Sequence, residues 1–313
     1  MSSEKNEIII TGVNGFVGGH LAKSLKDAGM DIIGVGSEDE PSLNAEKYLS
    51  SYHKADLTET WPVEGFEGRG IIHLAGLAAV GPSYENPQMY IDKNSAMVTN
   101  LCEYYVKKGA SKPRVLLVSS GAIYDPSEPM PITESAELGF NSPYAVSKVL
   151  NENQAKYYRG RGLDCVVVRP FNHIGPGQNE GFLLPDLYKK LSEAKENGET
   201  NIAVGNLDTR RDYTDVRDIV GAYTLLITAS ELQHDTYNVC SGESVSGKQI
   251  FELTKTAADC ASIGAVVDEA LIRPSDIPDI YGDSSRLRVE LGWAPKHDLE
   301  QTVRDFVSSK ASN

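Results

Sequence analysis

The sequence predicts an α/β protein built on a doubly wound parallel sheet, with a smaller substrate-binding part interleaved toward its C-terminal half. Three observations carry this expectation. Short apolar runs alternate with amphipathic stretches through the first 170 residues, the first run is followed at once by glycines that open a helix, and beyond Phe171 the alternation breaks until a last strand-like run, Thr236 to Cys240. Strands separated by helical stretches point to parallel pairing through crossover helices. Residues 1–170 are therefore expected to form a dinucleotide-binding unit with a returning segment near 212–240, and residues 171–313 a mostly substrate-binding unit.

Glu7 to Thr11 is the first strand, and Gly12-Val13-Asn14-Gly15-Phe16-Val17-Gly18 leads into a helix whose Val17, Leu21, Leu25 and Ala28 share one face. That order places backbone amides at a helix N-terminus. Glycines at this spacing permit a tight turn, close approach to a pyrophosphate and close helix–strand packing, the Rossmann arrangement. The second strand, Asp31 to Val35, runs toward Glu38 and Asp39 with no arginine nearby. An acidic group there takes ribose hydroxyls, whereas an arginine would accommodate a 2′-phosphate, so NAD is expected over NADP. A third strand ends at Ala55-Asp56-Leu57, where Asp56 could accept from the adenine amino group. The fourth, Ile71 to Gly76, ends in small residues that admit a ligand to the backbone, and its His73 suits a core or loop role at least as well as a catalytic one.

Tyr90 to Lys108 reads as a long amphipathic helix with Asn94 near its start, and Arg114 to Val118 as a fifth strand delivering Ser119 and Ser120 to its C-terminal end. Open parallel sheets bind ligands at that end, which makes Ser120 a candidate active-site hydroxyl. Asp164 to Pro170 is apolar enough to be buried on both faces. Phe171 to Gly177 is expected to be a loop, with helices over Leu183 to Glu196 and Val216 to Ala229.

Ser142-Pro143-Tyr144-Ala145-Val146-Ser147-Lys148 is a helix start, with Ser142 as N-cap and Pro143 at the first helical position. Tyr144 and Lys148 then lie one turn apart on one face. An unperturbed tyrosine is only about 0.1% ionised at neutral pH, and a neighbouring cation is expected to lower its pKa and make the phenol a usable proton carrier.

The chain has 313 residues, 40% of them hydrophobic, enough for one large or two modest domains. A formal charge of -14 argues against nucleic acid or an anionic membrane surface as partner, and requires local cations for any anionic ligand. Cys102, Cys165, Cys240 and Cys260 are far apart and form no Cys-x-x-Cys pair, so reduced thiols are expected and a zinc site is not. No apolar run approaches the length of a membrane span, and the expectation is a cytoplasmic protein.

Gly12-x-x-Gly15-x-x-Gly18, Asp56-Leu57, His73-Leu74-Ala75-Gly76, Ser119-Ser120, Tyr144-x-x-x-Lys148 and Arg169-Pro170-Phe171-Asn172 follow one another in this order. With these motifs the chain resembles the extended short-chain dehydrogenase/reductase family, which acts on nucleotide-activated sugars. The resemblance covers nearly the whole chain. Arg169 to Gln178, Gly181-Phe182, Arg273-Pro274-Ser275-Asp276-Ile277-Pro278 and Gly292-Trp293-Ala294-Pro295 are similar to the branch that reduces GDP-4-dehydro-6-deoxy-hexoses. The resemblance implies an NAD(P)(H)-dependent enzyme with Ser120, Tyr144 and Lys148 catalytic. It assigns cofactor contacts to Gly12, Asn14, Gly15, Phe16, Val17, Gly18, Glu38, Asp56, Leu57, Leu74, Ala75, Gly76, Asn94, Val118, Tyr144, Lys148 and Pro170. Substrate contacts fall to Ser120, Asn172, Arg211, Arg273 and Asp276, the substrate being a nucleotide sugar, with a GDP-sugar favoured. A homodimer through the Asn94 and Tyr144 helices is also implied.

Family dehydratases carry an Asp-Glu pair directly after the serine or threonine, where this chain has Gly121 and Ala122. A 4,6-dehydratase is therefore not expected. A 4-epimerase with tightly bound NAD uses the same three catalytic residues and stays open, as does a dinucleotide-binding sensor without catalysis. The chain departs from the family pattern at Asp125, where a glycine is common, and at Ala78, where a lysine or serine is common.

Overall fold

The computed structural model describes residues 6–108, 112–272 and 277–311. In the first half β1 (Glu7–Thr11), α1 (Phe16–Asp27), β2 (Asp31–Gly36), α2 (Leu43–Glu46), β3 (Ser51–Lys54), β4 (Gly70–His73), α3 (Val80–Glu85), α4 (Pro87–Lys108), β5 (Arg114–Val118), α5 (Pro143–Gly160) and β6 (Cys165–Pro170) follow in order. Next come β7 (Asn172–Ile174), α6 (Leu183–Asn197), β8 (Asn201–Val204), β9 (Arg210–Arg211), β10 (Tyr213–Asp215), α7 (Val216–Thr228) and β11 (Thr236–Val239). The chain closes with β12 (Val245–Ser246), α8 (Gly247–Ala257), β13 (Gly264–Val267), β14 (Asp279–Ile280), α9 (Ser285–Leu291) and α10 (Leu299–Ala311).

Seven strands form one sheet in the order β11-β6-β5-β4-β1-β2-β3, every neighbouring pair parallel. The winding reverses between β1 and β4, so the loops leaving those strands diverge to opposite faces and open a crevice beyond their C-terminal ends. Alternation along the strands feeds two cores. Ile8, Ile10, Ile72 and Leu116 pack under α1 and α7, through Leu21, Leu25, Ile219 and Tyr223. Ile9, Ile71, Val115 and Leu117 pack under α4 and α5, through Val98, Leu101, Ala155 and Tyr158. Residues with both neighbours buried explain why these strands read as continuous apolar runs.

The chain returns to this sheet late: α7 packs with α1 in one core and β11 pairs with β6, Tyr237 opposite Val168. A third core gathers Leu184, Leu187 and Leu191 of α6, Ile250 and Phe251 of α8, and Val303 and Phe306 of α10. Two expectations need correction. The third strand stops at Lys54, because Asp56 ends it by accepting hydrogen bonds from the Thr58 amide and hydroxyl at 2.9 and 2.6 Å. The segment expected to be a loop contains β7, which finds a parallel partner in β10, Asn172 opposite Tyr213. That pairing joins residues about 40 apart, beyond the reach of local periodicity. Among the described residues no helix is long and apolar enough to cross a membrane.

Candidate active site

The crevice is lined first by the glycine loop. Gly12 has φ +68°, and a Cβ there would stand 2.8 Å from the Ala75 amide nitrogen, so the loop can lie against the end of β4 only with glycine. At Gly18 a Cβ would enter the Val13 carbonyl. The N-cap of α1 is Gly15, and no side chain caps that helix. Its first-turn amides therefore face the crevice without a side-chain acceptor, as a pyrophosphate site needs.

Asn14, expected among the cofactor contacts, is turned away from those amides. Its Oδ1 accepts from the Ser42 amide at 2.8 Å, and its Nδ2 donates to Glu38 Oε2 at 2.9 Å and the Glu40 carbonyl at 3.1 Å. Asn14 is thus a strap between the glycine loop and the acidic loop after β2. Glu38 is exposed, and its carboxyl lies below the usual range, chiefly because its own amide donates to it and Asn14 adds a further hydrogen bond. An ionised acceptor at this point suits ribose hydroxyls. Asp39 is instead engaged by Lys54 at 2.5 Å. Asp56 is exposed, with one carboxylate oxygen occupied by Thr58, while Leu57 is buried and its carbonyl accepts from Asn100 at 3.0 Å.

Beyond β4 the backbone of Leu74, Ala75 and Gly76 borders the crevice. Thr11 Oγ1 accepts from the Ala75 amide at 3.2 Å and lies 2.8 Å from His73 Nδ1. His73 is buried, its pKa brought down to about 3 chiefly by burial, and its Nδ1 joins the ends of β4 and β1 through Thr11. Asn94 is buried, with Oδ1 accepting from the Leu77 amide at 2.8 Å and Nδ2 donating to the Leu77 carbonyl and Ser147 Oγ. Both its amide hydrogens are used within the protein, so it positions the Gly76 turn against α5.

The reacting end is assembled where β5 meets α5. Ser142 accepts from the Ala145 amide at 3.1 Å and starts α5, as the Ser-Pro pair predicts. Ser120 caps the short turn after β5 by accepting from the Ala122 amide, and its hydroxyl lies close enough to the buried Tyr144 phenol to favour the ionised form. Lys148 Nζ donates to the Val118 carbonyl at 2.8 Å and stands 5.8 Å from the centre of the Tyr144 ring. Ser120, Tyr144 and Lys148 are therefore together. The protonation balance differs from expectation. Burial pushes the Tyr144 phenol up from 10.0, with the Ser120 hydroxyl pulling the other way, and burial brings Lys148 down to about 8. Desolvation of both groups outweighs the lowering of Tyr144 expected from Lys148.

Pro170 closes β6, and the exposed Asn172 opens β7. Arg211 lies on β9, just ahead of the strand that pairs with β7, and its guanidinium donates to the Arg210 and Ile277 carbonyls at 2.7 and 2.6 Å. Arg273 and Asp276 lie outside the described residues. Asp125, where the family pattern has glycine, accepts from the Ser127 amide and hydroxyl at 2.8 and 2.6 Å, so this loop is closed by a side chain. Sequence reasoning missed Phe171, whose ring would lie 2.9 Å from a Cβ at Gly121, and the Glu152–Arg169 pair beneath α5. The signal for Glu152 was its place one turn beyond Lys148.

A family model described as GDP-mannose 4,6 dehydratase matches residues 9–306. The chain belongs to this family, within the extended short-chain dehydrogenases/reductases. GDP-6-deoxy-D-mannose reductase of Pseudomonas aeruginosa is 31% identical, with 96% of each chain covered. GDP-6-deoxy-D-talose 4-dehydrogenase of Aggregatibacter actinomycetemcomitans is 31% identical across 91% of each. The solved structure of RMD from Pseudomonas aeruginosa complexed with NADPH superposes with a TM-score of 0.84 at 28% identity, covering 98% of this chain and 99% of that one.

The buried Lys148 has a measurable consequence. Between pH 8 and 10.5 the unfolded chain holds the Lys148 proton and the folded chain does not, so this group adds stability as pH rises through that window. Below it, burying the charge costs roughly 3 kcal/mol, partly offset by the bond to Val118, about 1 kcal/mol. Lys148→Met should resist urea better than the parent at pH 6.5, and the difference should shrink at pH 9.5. A difference independent of pH would contradict a buried, titrating amine.

Proposed function

We propose that the protein reduces the C4 ketone of a GDP-4-dehydro-6-deoxy-hexose with NAD(P)H, a step of deoxysugar formation. The observation that carries this reading is the union of Ser120, Tyr144 and Lys148 at the end of β5, facing a crevice edged by the uncapped N-terminus of α1. Its relatives at 31% identity act on C4 of GDP-6-deoxyhexoses. When bound, the reduced nicotinamide supplies the hydride. Tyr144 gives its phenolic proton to the oxygen developing at C4, Ser120 donates to the same oxygen, and Lys148 stabilises the phenolate left behind while reaching toward the nicotinamide ribose. Gly12, Gly15, Phe16, Val17 and Gly18 would hold the pyrophosphate through their backbone, Glu38 the adenosine ribose, and Asp56 with Leu57 the adenine. Leu74, Ala75, Gly76, Val118 and Pro170 would border the rest of the cofactor. The ionised Glu38 favours NADH, since a 2′-phosphate would meet a negative charge there.

On the substrate side Asn172, Arg211 and Arg273 would hold the diphosphate and nucleotide, with guanidinium groups as the local cations an acidic protein requires, and Asp276 would be a further substrate contact. Dehydration is disfavoured by more than the identity of Gly121. The Phe171 ring fills the space a side chain at 121 would need. Gly121→Asp should lower the melting temperature, by roughly 1–3 kcal/mol of stability, and leave GDP-mannose undehydrated. A stable variant that dehydrates GDP-mannose would show that Phe171 does not close the position.

Purified protein mixed with GDP-4-dehydro-6-deoxy-mannose should oxidise NADH, faster than NADPH, in proportion to the ketone added, and Tyr144→Phe should lose a factor of about 10² to 10⁴. Epimerised UDP-sugar without net cofactor consumption would replace the reductase with a 4-epimerase. The exposed Tyr84, Met89, Leu150 and Tyr157 on and beside α4 and α5 are the basis for proposing a homodimer through that face. Sedimentation velocity should give twice the chain mass, and a monomer at micromolar concentration would remove the dimer.

A further inference from the structure

Beneath the active site lies a line of buried charges with no direct part in the chemistry just described. Glu152 follows Lys148 by one turn of α5, so both occupy the face turned to the sheet. They do not pair with each other. Lys148 donates to the Val118 carbonyl at 2.8 Å, and Glu152 is gripped from the far side by Arg169 of β6, whose Nε and Nη2 reach its two carboxylate oxygens at 3.0 and 2.6 Å. Side-chain exposure is 7% for Arg169 and 10% for Glu152. Arg169 also donates to the Tyr124 hydroxyl at 2.9 Å, and that hydroxyl donates to Asn238 Oδ1 at 2.6 Å. The Asn238 amide in turn meets Glu134, which Arg286 approaches at 3.3 Å. Charges thus alternate inward from Arg286 through Glu134, Arg169 and Glu152 to Lys148.

An ion pair this far from water is a weak device for stability, because desolvation offsets most of its attraction, and a hydrophobic pair would hold α5 to β6 as well. Its placement explains it better. Beside Lys148, His73 at the end of β4 is neutral and Tyr144 is held in its neutral form by burial, as are Tyr90 of α4 and Tyr223 of α7, the tyrosines that interact with Tyr144. Glu152 is the negative charge that acts on Lys148, and it opposes the burial that would strip the ammonium of its proton.

We propose that Glu152 is a positioning residue that holds Lys148 as a cation in the active site, and that Arg169 sets the strength of this hold by sharing the same carboxylate. The bidentate grip fixes the carboxylate in place, so its field on Lys148 is preorganised. Removing the two charges should therefore move Lys148 in opposite directions, which no shared structural role predicts. The proposal rests on the reading of Lys148 as an active-site cation.

Two readouts on the full-length protein test it: the ε-carbon NMR signal of Lys148 followed against pH, assigned by its absence in Lys148→Met, and the alkaline limb of the reductase pH profile. Parent protein should titrate near 8. Glu152→Gln should bring both midpoints down by about one pH unit, and Arg169→Gln should raise them. If either single variant fails to fold, Glu152→Gln/Arg169→Gln keeps the buried charge balanced, and its midpoint should still fall because the carboxylate one helical turn from Lys148 is gone. Midpoints that stay at the parent value, or move together in the single variants, overturn the inference and leave the pair a structural clamp. Opposite shifts in the NMR titration of a protein that turns over no ketosugar would uphold it and overturn the ketosugar-reductase reading instead.

Discussion

The hydrogen bond from Lys148 to the Val118 carbonyl is the contact on which the site depends. It joins α5 to the last residue of β5 and places an ammonium beside a buried phenol, at a depth where burial alone would discharge the one and keep the other protonated. The surrounding structure reads as a set of conditions for that contact. Ser142 starts α5 at the right residue, Ser120 turns the chain immediately after the strand, and Asn94 braces Ser147 within the same turn. Each is a short-range hydrogen bond that would contribute little alone. Together they fix the start of α5 against the end of β5.

The sheet supplies the second requirement, a place for a dinucleotide next to that triad. Because the winding reverses between β1 and β4, the glycine loop and the β4 end face one crevice, and Gly12 packs directly against Ala75. Asn14 extends this wall to the acidic loop after β2. A residue in the middle of the glycine motif thereby fixes the Glu38 carboxylate on the loop after β2.

Phe171 links the sheet to the smaller part of the molecule. Its ring lies 2.9 Å from where a Cβ of Gly121 would stand and 2.5 Å from where one of Gly282 would stand, so glycine is needed on both sides of it. The chain matches a dehydratase family model, and at position 121 the Phe171 ring leaves a side chain no room unless the ring shifts.

Most of the fold was legible in the sequence because its signals are local. Apolar runs of strand length, glycines at three-residue spacing, the Ser142-Pro143 cap and the i, i+4 relation of Tyr144 to Lys148 are set by backbone geometry within a few residues. Tertiary structure alone decided what depends on distant partners. The β7–β10 pairing, the full use of Asn94 by Leu77 and Ser147, and the grip of Arg169 on Glu152 all arise between segments brought together by folding. The direction of the Tyr144 shift belongs here as well. A nearby lysine predicts a lowered phenol, but desolvation depends on everything packed around it, and no spacing in the chain encodes how much water folding removes.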